Sequence, residues 1–207
     1  MNQAFSLTLS AVALAAGAAC ATTEAQEKET PKVETVAAQD GMDPAMMQKM
    51  MELAIPGPAH QEFAARAGTW NQHYKMRMSP DAPWTEFEGT CETKVVLDGR
   101  YLLEEVKFDM MGMPMQGMFI LGFDNMSQEY IAWWADSMST WWVTSRGKKD
   151  ASGAIDLKGT MVDIAGTRPF RMVIRYKDAD TTESEMYDTI PPKGEVQVMS
   201  FTSTRKK

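Results

Sequence analysis

The sequence predicts an all-β domain, an antiparallel meander of about ten strands closed into a barrel, with a short N-terminal helical lead-in. Three observations lead there. From Gly68 onward, short alternating or aromatic and β-branched runs are separated by nine turn-forming breaks. None of the connections has the dozen or more residues that a helical crossover between parallel strands needs. An open meander of this length would leave two long unpaired edges, which closure removes.

Taken in order, residues 1–20 carry no charged side chain and hold a short apolar stretch, Phe5 to Leu14, followed by small residues. A membrane span needs roughly 20 apolar residues, so this segment reads as a secretory leader. Cys20 follows Gly17-Ala18-Ala19, and the stretch resembles a bacterial lipobox, in which small residues precede a Cys that is lipidated and becomes the mature N-terminus. The other reading is ordinary cleavage, after Ala21 or after Ala25. Residues 21–41 hold five acids against two lysines and no aromatic residue, a composition that cannot offset its ordering entropy by burial. They are expected to form a disordered acidic tether.

Residues 42–56 read as an amphipathic Met-rich helix. Asp43-Pro44 supplies an N-cap and a proline at the first helical position, Met46, Met47, Met50 and Met51 recur at helical spacing, and Ile55-Pro56-Gly57-Pro58 stops the run. Such a stripe is expected to be an apolar docking face rather than a metal box. A second short helix is expected over His60 to Arg66. The barrel domain then occupies residues 57–207, with breaks at Ser79-Pro80-Asp81, Asp98-Gly99, Met111-Gly112, Asp124-Asn125, Asp136-Ser137, Asp150 to Gly153, Ala165-Gly166, Asp178 to Asp180 and Pro191 to Gly194.

Composition excludes several functions. A chain of 207 residues with formal charge −7 and one basic run, Arg205-Lys206-Lys207, lacks the electrostatic footprint of a nucleic-acid binder. The tether contributes −3 of that charge, so the domain itself is mildly acidic. Two His and two Cys cannot supply many ligand sets or catalytic triads, and no Ser-His-Asp elbow, phosphate-binding Gly loop or zinc signature is present. No cofactor and no metal is expected. Against this scarcity stand 19 Met and 6 Trp.

A barrel of this size encloses a volume that side chains fill or that holds one small ligand. Residues from Met110 to Met118 include five methionines, Met113 and Met115 among them. They read as a hairpin whose flexible thioethers cap the barrel mouth, with a Cu(I) site as the soft-ligand alternative. Trp133-Trp134 and Trp141-Trp142 flank a turn. Strand neighbours face opposite ways, so one Trp of each pair, Trp134 and Trp142, is expected to line the interior while the others mark a contact surface. Arg146, on the same side as Trp142, is the candidate anchor for an anionic ligand if that face is internal. Glu104 and Glu105 are adjacent, so they diverge to opposite faces and cannot form an acid/base pair. Cys91 is expected to be a small buried hydrophobe, His60 and His73 structural or exposed, and Arg171, Arg175, Glu183 and Glu185 a charged ladder on a solvated face.

Gly68-Thr69-Trp70 opens the first strand, and Arg205 lies on the last. This pairing resembles the calycin superfamily of lipocalins and fatty-acid-binding proteins, where a first-strand Trp plugs one barrel end and a last-strand Arg packs across it. Ala67-Gly68-Thr69-Trp70, Leu97-Asp98-Gly99-Arg100-Tyr101-Leu102, Leu121-Gly122-Phe123-Asp124-Asn125 and Thr204-Arg205-Lys206 together resemble the uncharacterised bacterial family catalogued as domain of unknown function 1579. The resemblance spans about residues 57–207. It implies a lipocalin-like barrel in secreted bacterial proteins, closed by Gly68, Trp70 and Arg205, and implies no activity or catalytic residue. Haem-binding calycin barrels use a His near the chain end, and here none follows His73.

The expected function is that of an exported, non-enzymatic barrel that binds or carries a small hydrophobic or amphipathic molecule. Its expected place is the periplasm or the outer membrane, touching a membrane only through a lipid at Cys20. An envelope interaction module with a filled barrel and a protein partner is the alternative, followed by a small-molecule isomerase or cyclase.

Overall fold

The computed structural model describes residues 43–164 and 166–207. The expected leader, tether and Cys20 lie outside the described residues. Two helices, α1 (Pro44–Ala54) and α2 (Pro58–Ala64), precede ten strands: β1 (Gly68–Met76), β2 (Thr85–Val96), β3 (Tyr101–Met110), β4 (Met113–Asp124), β5 (Glu129–Asp136), β6 (Val143–Lys149), β7 (Ile155–Asp163), β8 (Gly166–Tyr176), β9 (Thr181–Ile190) and β10 (Gly194–Arg205). Each strand pairs antiparallel with its sequence neighbours, and β10 pairs with β1 to close the barrel.

Local chemistry explains the lead-in. The Asp43 side chain accepts a hydrogen bond from the Ala45 amide, and Pro44 takes the first helical position, where no donor is needed. α1 buries none of its residues; its C-terminal end is held by Arg100, which donates to the Ala54 carbonyl, and by Asn125, which donates to the carbonyls of Leu53 and Ile55. In α2, Pro58 again opens the helix and the Gly57 amide donates to Nδ1 of His60. Phe63 enters the core with Leu102, Leu121, Ile155 and Leu157, so α2 covers one end of the barrel.

That end is sealed by charge as well as by packing. Trp70 donates through Nε1 to the Arg66 carbonyl, and Arg66 itself lies over the Tyr176 ring. Arg205 covers Trp70 and donates to the carbonyls of Ala65, Ala67 and Ala179 and to the Asp180 carboxylate. Gly68, at φ +139°, is the residue this arrangement requires, because a β-carbon there would sit 2.6 Å from an Arg205 guanidinium nitrogen.

The opposite end is formed by the connections after β1, β3, β5, β7 and β9. A register shift in β10 between Gln197 and Met199 bends the strand there, and Arg77 tethers the following loop by donating to Val198 and Gln197 carbonyls. On the outer wall, Arg171 pairs with Asp156 and Glu195, Arg175 with Glu185, and Lys177 with Glu183, a solvated charge ladder.

Candidate functional site

Alternation along the strands sends one set of side chains inward, and at the open end these do not fill the barrel. They surround a cavity of about 310 Å³, in the size range of sites that hold small organic molecules. Its wall is mostly thioether and aromatic. Met76, Met110, Met115 and Met161 stand near strand ends, Met172, Met186 and Met199 lie within their strands, and Met138 reaches in from the connection after β5. Tyr74, Phe108, Phe119, Trp134, Phe170 and Phe201 supply the rings. Unbranched thioethers adapt to ligand shape and contact ring edges favourably, so this lining suits an apolar guest without demanding one outline.

The polar groups are few and placed. The Tyr74 hydroxyl donates to Oε1 of Gln72 at 2.5 Å, and Gln72 donates to Ser203 Oγ at 3.0 Å, a satisfied chain that burial keeps neutral by pushing the Tyr74 hydroxyl far up. Trp134 Nε1 donates to one carboxylate oxygen of Asp136 at 2.8 Å, and the Met138 amide donates to the other at 2.9 Å. The indole of Trp134 lies against Gly117, where a β-carbon would come within 2.1 Å of its Cη2 atom. Glycine is what lets the ring lie flat on the sheet.

Glu104 differs from all of these. It projects from β3 in phase with Leu102 and Val106, and it borders both the large cavity and a small one of about 30 Å³ toward the sealed end. No hydrogen-bond donor meets its carboxyl among the described residues. Burial alone raises that carboxyl from 4.5 to about 7, since an ion without a partner is poorly solvated there. Its neighbour Glu105 points outward, pairs with Lys94 and is held below the usual carboxylate range. At the mouth, Arg168 bridges Asp163 and Asp188, gripping both carboxylates through its Nε and terminal nitrogens.

Chemically, this arrangement can enclose an apolar body and offer it one unpaired carboxyl that exchanges a proton near neutrality. Cys91 offers no nucleophile, because burial pushes its thiol up to about 12. His60 is buried edge-on between Phe63 and Phe123 and its pKa is lowered by burial; His73 is on the outer face between Glu86 and Glu88, which raise it. Among the described residues, no group of three His, Cys, Asp or Glu is placed to hold a metal.

Residues 55–205 match the family described as Protein of unknown function (DUF1579). The chain belongs to that family. A solved structure with the same fold is the S-type phycobiliprotein lyase CPES from Guillardia theta, with a TM-score of 0.51 at 9% identity, covering 76% of this chain and 97% of the lyase chain. Comparison with curated proteins finds no match. The barrel is therefore lipocalin-like, and at this identity the likeness speaks for the fold alone.

Within this DUF1579 barrel, the site residues expected from sequence divide. Trp134 and Met115 border the cavity, and Gly68, Trp70 and Arg205 meet at the sealed end. Met113 shares their inward phase but stands exposed at the rim beside the hairpin turn. Trp142 and Arg146 do not face the interior. β6 begins only at Val143, so Trp141-Trp142 belong to the preceding connection, and Trp142 is 75% exposed. Val143 and Ser145 take the inward positions; Arg146 therefore points out, where it pairs with Asp124 and Glu129 and donates to Ser127. The anionic-ligand anchor inferred from Trp142's side of the strand is thus a surface ion pair. Outside the barrel, Met118, Ile120, Trp133 and Trp142 line an apolar groove, and Tyr101 stacks against Trp133.

Sequence reasoning passed over Glu104 and Asp136 as interior groups. The signal for Glu104 was present: Leu102, Glu104 and Val106 share one strand face, an acid in phase with buried aliphatics. For Asp136 it was weaker, because aspartate before serine reads as turn punctuation.

Proposed function

We propose that this DUF1579 protein is an exported carrier that encloses a small apolar or amphipathic molecule in its barrel. The observation that carries the reading is the methionine- and aromatic-lined cavity of about 310 Å³, open toward one end and sealed at the other by Trp70, Arg205 and α2. A filled barrel would have favoured the interaction-module reading instead. The charge-free leader and acidic tether of residues 1–41 support a place in the periplasm or, with a lipid on Cys20, at the outer membrane.

Titration with the neutral apolar dye N-phenyl-1-naphthylamine tests the carrier reading. Saturable uptake is expected, with quenching of Trp134 by the bound dye, and Ala132→Phe, which places a ring in the cavity, is expected to abolish it. No saturable uptake by the native protein, or equal uptake by the folded variant, overturns the reading. Mass spectrometry of the mature N-terminus from the native host tests export and lipidation together.

A further inference from the structure

We propose that the cavity selects apolar molecules bearing a basic or hydrogen-bond-donating nitrogen, with Glu104 as their anchor, and disfavours fatty-acid-like anions. This deepens the carrier reading and rests on it.

Three features of the interior converge. First, Glu104 and Asp136 are the acids on the wall of the large cavity, and no Lys, Arg or His stands there among the described residues. Second, the cations nearest its two ends stand off the wall of the large cavity. Arg168 at the mouth is held between Asp163 and Asp188, leaving that trio with a net negative charge. Arg66 at the sealed end borders the small cavity but not the large one; it lies over Tyr176 and donates one terminal nitrogen to the Asp178 carbonyl, while its buried Nε has no partner among the described residues. Third, Asp136 has both oxygens occupied by donors, whereas Glu104 has none, and its raised titration reflects that unmet demand.

An anionic head group entering the large cavity would lose its hydration and meet two carboxyls with no cation on that wall to compensate. An ammonium would gain a carboxylate partner in a setting of low dielectric, and a neutral N–H would satisfy the same orphan acceptor with a hydrogen bond. Both outcomes recover free energy that the empty barrel loses by burying Glu104.

The test is competition at pH 8, where Glu104 is mostly ionised, using N-phenyl-1-naphthylamine displaced by dodecylamine, dodecanol or dodecanoate below their micellar concentrations. Dodecylamine is expected to displace the dye at a concentration lower than dodecanoate by about tenfold or more. Glu104→Gln is expected to shrink that ratio to about threefold or less. The ratio is read within each protein, so a general change in affinity cancels. If Glu104→Gln does not fold, Glu104→Met, which removes the carboxyl and matches the thioether lining, is read in its place, again with a narrowed ratio expected. Dodecanoate matching or beating the amine, or a ratio unchanged in the variant, overturns the selectivity while the carrier reading stands. Failure of the native protein to take up the dye at all removes the carrier reading and this inference with it.

Discussion

The guanidinium carbon of Arg205 lies 4.3 Å from the centre of the Trp70 ring, and the two residues are also register partners across the seam where β10 meets β1. One interaction thus closes the sheet and caps its end. The planar fork of Arg205 reaches three carbonyls and a carboxylate from a position stacked on the indole, which a lysine ammonium cannot reproduce.

Arg205→Lys is therefore expected to lower unfolding stability by about 2–3 kcal/mol, combining lost charged hydrogen bonds with lost stacking. Arg205→Ala should cost somewhat more. Urea denaturation of the three proteins measures this; equal midpoints for native and lysine proteins would show that the fork is dispensable.

Gly117→Ala is expected to displace Trp134, because the added methyl would occupy space now filled by the indole ring. A loss of about 1–3 kcal/mol follows for such overpacking. If the displaced indole moves out toward water, the tryptophan emission should also shift to the red. Unchanged emission and stability would contradict the flat seating of the indole.

How much of this was legible in the sequence depended on which physical signal each residue carried. Turn residues and strand alternation gave the ten strands, and Gly68, Trp70 and Arg205 their shared end, because both are local or family-borne patterns. Trp142 and Arg146 were misplaced for one reason: the length of the connection after Asp136. Periodicity fixes alternation only once a strand's first residue is known, and a start at Val143 rather than Trp141 leaves Trp142 in a loop while Arg146 follows an outward face. The interior role of Glu104 was hidden because its alternation partner Glu105 made the pair look like ordinary surface charge. The methionine surplus found its explanation only in three dimensions, where eight of the 19 converge from seven strands and a loop on one cavity.

Replacing Arg146 with Ala is expected to change stability by less than about 1 kcal/mol, since its ion pairs with Asp124 and Glu129 are at the surface. Trp142→Ser should stay within about 0.5 kcal/mol for a side chain so exposed. A large loss of stability in either, measured by thermal unfolding, would place these side chains inside the barrel after all.

Cys91 is expected to resist alkylation in the folded protein at pH 8. Its thiol is buried beside Thr93 and titrates near 12, so little thiolate forms and little of it is reachable. Peptide mapping after iodoacetamide treatment should find Cys91 unmodified in native protein and modified in urea. Rapid native labelling would require an opening of the sheet between β1 and β3.

Glu104 gives the protein a pH dependence of predictable sign. In the unfolded chain its carboxyl titrates near 4.5, and in the barrel near 7. Between these values the native state holds more protons than the unfolded state, so stability falls as pH rises through the window and levels off above it. A rise from 4.5 to about 7 corresponds to about 3 kcal/mol; because the carboxyl borders open cavity rather than packed side chains, about 2 kcal/mol is the expected effect. Glu104→Gln removes the penalty. The variant should match the native protein at pH 4 and exceed it by about 2 kcal/mol at pH 8, and the difference between the two isolates Glu104 from every other titrating group. Denaturant unfolding across this range measures it. A variant less stable than the native protein at pH 8 would mean that the carboxylate has a partner in the folded state, and the acidic anchor would lose its basis.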